Sequence, residues 1–368
     1  MLRNQQQTMD TDLSASAYDS ALAGVEDAKR LLLKYNDCKR STSPTPAPEV
    51  GECVRIESAV EDDGGKCTAV SRGLHSNTTE EVKIRLNPTD QSGNSMDQAY
   101  TCATVRYTSK EILGSVNSGT SKLIVVDSGA AGSDIRKLKI SWFKKKADSL
   151  DGSSSFKFPS NPVGELPMGG GSGEPWSEDS SRTPPMLRTQ IIQHGSSISA
   201  DDFNFDTSPG NSNSTSTLFL YPSETALPVD IHASAEDIRT LREASRKNSI
   251  PSHCSEDSYE GGGFACSVTI IPKKENLKKL YLQLGAIYGD TDYMIEAIDS
   301  TGKPISVVAP AVDVTGRAND MFRRVEARID LSAGNYPLAT IDVNGDLCKD
   351  FSVSDNANDY RNNPECEP

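Results

Sequence analysis

Oxygen-bearing side chains near the carboxyl end of the chain are spaced as calcium ligands are. They correspond to places 1, 3, 5 and 9 of a calcium-binding loop, and they are Asp342, Asn344, Asp346 and Asp350. The match stops there, because Gly345 stands at the fourth place rather than the sixth and Val353 replaces the bidentate glutamate. Asn344-Gly345 also suits a type I′ turn, which requires positive φ at both residues. We therefore favour a hairpin, with strands at 340–343 and 346–351, over a metal site.

Side chains that could perform catalysis are few and scattered. The histidines have no serine or cysteine motif beside them, and they are His75, His194, His232 and His253. No Gly-x-Ser-x-Gly turn is present to hold a nucleophile. The glycines of residues 127–132 precede neither Lys-Ser/Thr nor a helix pattern, which argues against a phosphate loop. We expect a non-enzymatic protein without a cofactor, and an extracellular hydrolase is the third and least favoured hypothesis.

The chain contains eight cysteines, which fall into two sets of four separated by a long cysteine-free stretch. They form no Cys-x-x-Cys and no grouping with zinc-ligand spacing. The even number indicates disulfides, and disulfides indicate an oxidising, extracellular compartment. Four cysteines allow three pairings, so the connectivity within each set stays open. The preferred pairs are Cys38–Cys102, Cys53–Cys67, Cys254–Cys266 and Cys348–Cys366.

The formal net charge is −14 and the isoelectric point is near 4.8. A phosphate backbone would be repelled by such a chain, so we expect no nucleic-acid partner. The first residues, 1–7, are polar or isolated apolar ones, and no apolar run reaches the length that spans a bilayer. Because disulfides require export, we expect the chain to start downstream of its own membrane segment. A cytosolic protein is the alternative.

The first predicted element of the chain is one long helix. Between residues 12 and 35, apolar side chains recur on one face of a 3.6-residue helix, at Leu13, Ala17, Ala21, Val25, Ala28, Leu31 and Leu32. We predict an amino-terminal helix over residues 1–37. The Ser/Thr/Pro-rich stretch that follows cannot continue a helix. Residues 38–52 are therefore interpreted as a linker.

Beyond the helix, the pattern is one of strands and turns. We predict a first β region over 38–143, a Gly/Ser/Pro-rich surface excursion over 144–186, and a second β region over 187–368 that packs with the first. A short helix is predicted at 235–246, with Ser234 as its cap. The expected fold class is α+β: a long amino-terminal amphipathic helix, then a large antiparallel β-sheet or sandwich with disulfides and long loops.

Residues 15–32 resemble the segment that follows the membrane anchor in minor pilins of bacterial type IV pili. The similarity is to the amino-terminal region of the PilX-like family, in which a small-residue pair, Ala-Gly and Glu-Asp-Ala recur, here at Ala23-Gly24 and Glu26-Asp27-Ala28. The carboxy-terminal part is also similar, at 313–320, 322–329, 335–338 and 346–351. The likeness is greatest to the large pilin-like proteins of reduced-genome bacteria that live attached to other cells. The peptidase site, apolar anchor and anchor glutamate of that family are missing from this chain.

The resemblance implies a structural subunit rather than an enzyme. In a pilin, small side chains let neighbouring helices approach closely in the filament core, and here those residues would be Ala17, Ala21, Gly24, Val25, Ala28 and Leu32. The alternative is that this stripe packs on the protein's own sheet. Both interpretations of the stripe hold if the carboxy-terminal half of the helix packs on the sheet and the amino-terminal half faces partners.

The function implied by this resemblance is that of a minor pilin at the cell surface. Its roles would be pilus assembly, attachment to a host or neighbouring cell, and twitching motility. Its partners would be other pilin subunits, contacted through the helix, and it would touch a membrane only through the missing segment. A secreted, disulfide-bonded β-rich adhesin or carbohydrate-binding module is the second hypothesis.

Overall fold

The structure is a computed structural model. It describes residues 2–40, 50–75, 79–84, 97–129, 132–144, 158, 183–193, 215–224, 226–233 and 249–331. Side-chain burial in the first helix is described from Asp10 onward. In these ranges, no helix combines the length and the apolar character that a membrane crossing requires.

In the described residues, three helices precede the strands and one short helix lies among them. The helices are α1 (Leu2–Arg40), α2 (Val50–Glu61), α3 (Ala69–His75) and α4 (Glu256–Glu260). Helix α1 confirms the predicted amino-terminal helix and ends slightly later than expected. The linker predicted over 38–52 is wrong at both ends, because α1 continues to Arg40 and α2 begins at Val50. The buried side chains of Ile56, Ala59 and Val60 lie on one side of α2 and explain why this segment is helical.

Strands make up the largest part of the described chain. They are β1 (Val82–Lys83), β2 (Gln98–Ser109), β3 (Ile112–Val116), β4 (Ser121–Asp127), β5 (Lys137–Lys144), β6 (Met186–Gln193), β7 (Thr215–Ser223), β8 (Asp230–His232), β9 (Ser249–Cys254), β10 (Phe264–Ile271), β11 (Lys279–Ile287), β12 (Thr291–Ile298), β13 (Val307–Ala318) and β14 (Met321–Arg328). They form two separate sheets, one small and one large.

The small sheet has four strands in the order β1-β2-β13-β14, and every neighbouring pair is antiparallel. Helix α1 packs on one face, where Val312 and Val314 of β13 join buried side chains of α1 in one hydrophobic cluster. The other face is charged, with an ion pair between Arg106 and Glu326 at 3.4 Å. Apolar and charged faces of this kind are expected of an antiparallel sheet that is solvated on one side.

The large sheet is inserted between two adjacent strands of the small one. The chain leaves the small sheet at Ser109 of β2 and returns at Val307 of β13, and these two residues are paired with each other. The inserted part has its own hydrophobic core, in which Trp142, Leu138 and Ile140 of β5 are fully buried. We call this inserted part, residues 112–305, the β body.

The sheet of the β body follows the order β3-β12-β5-β10-β9-β7-β6-β11-β4, with β8 paired to β10 off this path. Its two terminal strands, β3 and β4, are consecutive in sequence. Between them, the Gly119 amide donates to the Ala286 carbonyl at 2.9 Å, and Ser118 forms a bridge with Ala286 of β11. The Ser118 amide also donates to the Asp290 carboxylate at 2.7 Å. These contacts bring the two ends of the sheet together.

The expected α+β class with an antiparallel sheet or sandwich is therefore wrong. The protein is mostly β, and the β body is a nearly closed, barrel-like sheet of ten strands. Two of its pairings are parallel, β7 with β9 and β8 with β10. Alternation along a single strand predicts which face is apolar, but it carries no information on which distant strand completes the sheet.

The predicted division into regions is partly replaced by this sheet. Strand β5 of the first predicted region pairs with β10 and β12 of the second, so the two regions share one sheet. The predicted helix at 235–246 and the predicted hairpin at 340–351 lie outside the described residues. So does most of the predicted excursion over 144–186.

Helix α1 approaches the small sheet closely at Gly316. A Cβ built on Gly316 of β13 would lie 2.1 Å from the Ala17 carbonyl oxygen and 2.3 Å from the Ala21 amide nitrogen. Both are backbone atoms, so neither can turn aside, and we expect Gly316→Ala to lower the free energy of unfolding by about 1–3 kcal/mol. Urea unfolding followed by circular dichroism measures this.

Gly65→Ala is the matched control. A Cβ at Gly65 would meet nothing within 4 Å, so we expect a change within about 0.5 kcal/mol. Equal stability of the Gly316→Ala variant and the wild type would contradict the packing of α1 on β13.

Candidate functional site: the two faces of helix α1

The inner face of α1 contains every residue that the sequence assigned to helix packing. Ala17, Ala21, Ala28 and Leu32 are fully buried, and Val25 is 8% exposed. Gly24 belongs to the same face, because a Cβ there would lie 2.6 Å from Val314 Cγ1 and 2.9 Å from Tyr100 Cγ. This stripe packs on the protein's own small sheet over its whole length, which was the alternative expectation. A contact between α1 and another subunit therefore requires a different face.

The outer face of α1 exposes large apolar side chains. Tyr18, Leu22 and Leu33 are 49%, 38% and 40% exposed. They lie four and eleven residues apart, which places them on one side of a helix with 3.6 residues per turn. We call Tyr18, Leu22 and Leu33 the outer stripe. An exposed apolar row on a surface helix is a feature of interaction sites.

Polar contacts fix the middle of α1 on the sheet. The Tyr100 hydroxyl of β2 donates to Asp27 Oδ2 at 3.0 Å, and Arg30 donates to the other carboxylate oxygen of Asp27 at 3.3 Å. Burial, together with the neighbouring Asp27 carboxylate, raises the pKa of the Tyr100 hydroxyl. His75 at the end of α3 lies 3.8 Å from the same carboxylate. Asp27 thus joins α1 to both β2 and α3.

The end of α1 is fixed by tyrosines and by a disulfide. The Tyr35 ring packs edge-on against Tyr107 of β2, with ring centroids 4.6 Å apart. The Tyr35 hydroxyl donates to Glu61 Oε1 of α2 at 2.6 Å, and Lys39 pairs with the same oxygen at 2.8 Å. The hydrogen bond from Lys39 lowers the pKa of Glu61 below its usual range. A disulfide between Cys38 and Cys53 joins the end of α1 covalently to α2.

A second disulfide attaches the loop between α2 and α3 to the small sheet. It joins Cys67 to Cys102 of β2. Next to it, the Ala103 amide donates to the Cys67 carbonyl and the Val105 amide donates to the Gly64 carbonyl at 2.7 Å. The loop thereby covers the edge of β2 that β1 leaves free. We call residues 64–67 the edge loop.

The disulfides correct the predicted connectivity in the first set of cysteines. The pairs Cys38–Cys102 and Cys53–Cys67 are wrong, because Cys53 lies on α2 beside the end of α1 rather than in a hairpin. The pair Cys254–Cys266 is confirmed, and it joins directly opposed residues of β9 and β10. Cys348–Cys366 lies outside the described residues. Three disulfides are in keeping with an oxidising, extracellular or secreted environment.

The structure does not bring the described histidines into one site. His75 lies at the end of α3, and His232 and His253 lie opposite Ile271 and Ser267 of β10. The latter positions are four residues apart, or roughly 13 Å along a strand. His194 lies outside the described residues, and among the described residues no group of His, Cys, Asp or Glu could hold a metal ion. The calcium candidates Asp342, Asn344, Asp346 and Asp350 also lie outside them.

A shallow cavity of about 40 Å³ lies beside β10, where its partner changes from β9 to β8. Its lining includes Val229, Ser252, His253, Ser267 and Thr269. The Nδ1 atom of His253 lies 2.9 Å from the Ala226 carbonyl oxygen, so a backbone carbonyl, not a carboxylate, orients this ring. A volume of this size holds roughly one or two water molecules.

Comparisons of the chain with protein-family models, with curated proteins and with solved structures find no match. The resemblance to minor pilins therefore stays a prediction from the residues themselves, and the fold and the α1 surfaces must carry the functional argument.

Sequence reasoning missed the outer stripe. Tyr18, Leu22 and Leu33 were visible as apolar residues off the main periodic face, and that position is the signal that could have identified them. The edge loop carried no comparable signal, because its contacts are made by backbone groups of Gly64 and Cys67.

The buried carboxylate of Asp63, next to the edge loop, should make the stability of the fold depend on pH. The Asp63 side chain is 6% exposed and accepts hydrogen bonds from Lys66, at 2.5 Å, and from Arg72. The bond from Lys66, reinforced by Arg72, lowers the pKa of Asp63. A lowered pKa in the folded state stabilises the fold above the ordinary aspartate pKa of about 3.9, and this contribution is lost as the pH falls through the lowered value.

We expect Asp63→Asn to lower the melting temperature at pH 7 and to lose this deficit progressively as the pH falls below the ordinary aspartate pKa of about 3.9. Asp62→Asn is the control, because Asp62 is an exposed neighbour whose carboxylate accepts, from the described part of the chain, only the Ser58 hydroxyl. Melting temperatures of both variants and of the wild type between pH 2.5 and pH 7 test this. Identical pH profiles for the two variants would contradict the role given to Asp63.

Proposed function

We propose that this protein is a non-enzymatic, pilin-type display subunit. Helix α1 contacts the assembly through its outer stripe and its amino-terminal end, and the β body is held away from it at the cell surface. Attachment to other cells or surfaces is then a property of the β body. The observation that carries this proposal is the direction of α1 relative to the strands that lead into the β body.

The direction follows from two contacts. Gly24 and Asp27 of α1 contact Tyr100 near the start of β2, whereas Tyr35 contacts Tyr107 near its end. Helix and strand therefore run in the same direction, and the chain enters the β body at Ile112, beyond the carboxyl end of α1. The amino-terminal end of α1 lies at the opposite end of the small sheet.

We infer that the amino-terminal part of α1 extends past the sheet. The Ser14 hydroxyl of α1 accepts a hydrogen bond from Arg323 of β14 at 2.7 Å, and residues 10–12 are exposed. Helix α1 has 39 residues, or about 58 Å at 1.5 Å per residue, and residues 2–13 contribute about 18 Å of this. A projecting helix at one end and a stable β body at the other are the two parts that a display subunit needs.

The disulfides support the same division of roles. Cys38–Cys53 and Cys67–Cys102 reinforce the small sheet and its helices, and Cys254–Cys266 reinforces the β body. Each part thus carries its own covalent reinforcement, as an extracellular protein under load requires.

The proposal is tested by shearing filaments from the cells that make the protein and measuring its amount in the filament pellet by mass spectrometry. We expect the wild type in the pellet, and we expect Leu22→Glu to reduce its incorporation at least tenfold, about 1.4 kcal/mol, because a charge then lies in the outer stripe. Val54→Glu is the matched control, because Val54 is 62% exposed on α2, outside the outer stripe. Both variants must first show wild-type melting temperatures.

Equal incorporation of Leu22→Glu and wild type would overturn the role of the outer stripe. Absence of the wild-type protein from every filament preparation, with free protein in the medium, would instead support a secreted β-rich binding module.

A further inference from the structure

Strand β14 has a long edge that the described residues leave open. The β2 edge of the small sheet is covered by β1 and the edge loop, and the sheet of the β body is nearly closed on itself. Strand β14 pairs with β13 on one side, and no described residue pairs with its other side. Open strand edges are templates for another strand, so the side chains of this edge decide what it accepts.

The direction of the backbone groups on β14 follows from one bond. The Ile329 amide donates to the Pro310 carbonyl at 2.8 Å, so at this residue the amide points toward β13. Because amide directions alternate along an antiparallel strand, Phe322, Arg324, Glu326 and Arg328 direct their backbone N–H and C=O groups to the open side.

The same four residues expose their side chains on the charged face. Phe322 is 53% exposed, and the side chains of Arg324 and Glu326 are 73% and 56% exposed. Val325 and Ala327 point the other way and pack against the cluster beneath α1. A strand added to this edge would therefore meet a row of alternating charges on one face only.

We propose that a second copy of this chain pairs with β14 through its own β14, antiparallel and with Val325 of both copies opposite each other. This register places Arg324 opposite Glu326 of the second copy, and it does so twice. It also places Phe322 opposite Arg328 of the second copy, which allows a cation–π contact. Cross-strand pairs of opposite charge stabilise a sheet, whereas like charges destabilise it.

Neighbouring registers are less favourable. A register that places Glu326 opposite Glu326 of the second copy also places Arg324 opposite Arg328. A register that places Arg324 opposite Arg324 of the second copy likewise brings two positive charges together. The register centred on Ala327 pairs only residues 326–328 of the strand, whereas the register centred on Val325 pairs residues 322–328. The strand is thus complementary to itself in one full-length register, although charged edge strands ordinarily prevent pairing.

The geometry leaves room for the helices. The two copies of β13 would be three strand spacings apart, or about 14 Å, and both α1 helices would lie on the same face of the joined sheet. The two α1 helices run in opposite directions, so the pair joins free copies or subunits of two different filaments rather than neighbours in one polar filament.

The proposal does not depend on the proposed function. A single strand pair buries less than about 1,000 Å², so we expect a weak, reversible dimer.

Sedimentation equilibrium of the full chain over a wide concentration range tests the proposal. We expect a monomer–dimer equilibrium that weakens with salt, and a rise of the dissociation constant by about tenfold or more in Arg324→Glu. The double variant Arg324→Glu/Glu326→Arg restores opposite charges across the pair. It also sets residue 324 against Asp313 and residue 326 against Arg106 of the same copy, so we expect it to recover part of the lost affinity. Lys83→Glu is the matched control, because it makes the same charge change on β1, at the other edge of the small sheet.

Three outcomes would overturn the proposal. The first is a monomer at every concentration, and slow amide exchange at residues 324 and 326 of that monomer would show that the chain covers its own edge. The second is equal weakening by Arg324→Glu and Lys83→Glu. The third is a double variant no tighter than Arg324→Glu while both variants keep the wild-type circular dichroism spectrum.

Discussion

The close packing of α1 on β13 is the constraint on which the rest of the structure depends. Gly316 lets the helix backbone approach the strand backbone, and Gly24 makes room for Val314 and the Tyr100 ring. Such contacts leave no freedom to slide the helix along the sheet, since each glycine must stay opposite its own neighbour. The contact therefore fixes the position and direction of α1 relative to β2, and with them the end of the small sheet at which the β body begins.

Two disulfides reinforce the elements that border this contact. Helix α2 and the edge loop contribute few buried side chains, and short elements of this kind gain little from the hydrophobic effect alone. Cys38–Cys53 and Cys67–Cys102 close short loops around them. The covered edge of β2 follows from this reinforcement, and the open edge of β14 has no counterpart to it among the described residues. The edge at β2 is thus covered by a disulfide-bonded loop, whereas the described residues provide no such cover for the edge at β14.

The sequence predicted local elements better than their assembly. The apolar spacing from Leu13 to Leu32 predicted α1 and its buried face, because a helix is a local structure with a fixed period. The same reasoning was not applied at α2, where a linker and a β region were predicted although Ile56, Ala59 and Val60 recur at helical spacing. Sheet closure was not predicted, because it depends on contacts such as that between Ser118 and Asp290, which lie 172 positions apart.

The pilin-type hypothesis changes form because of the inner face of α1. The resemblance assigned six small and aliphatic residues to contacts between subunits, yet these side chains are already buried on the protein's own sheet. Burial of a side chain in one contact removes it from any other, so the assembly surface must be sought where α1 is still exposed. The outer stripe and the exposed residues 10–12 meet that condition. A display subunit built in this way separates assembly from attachment by the length of one helix.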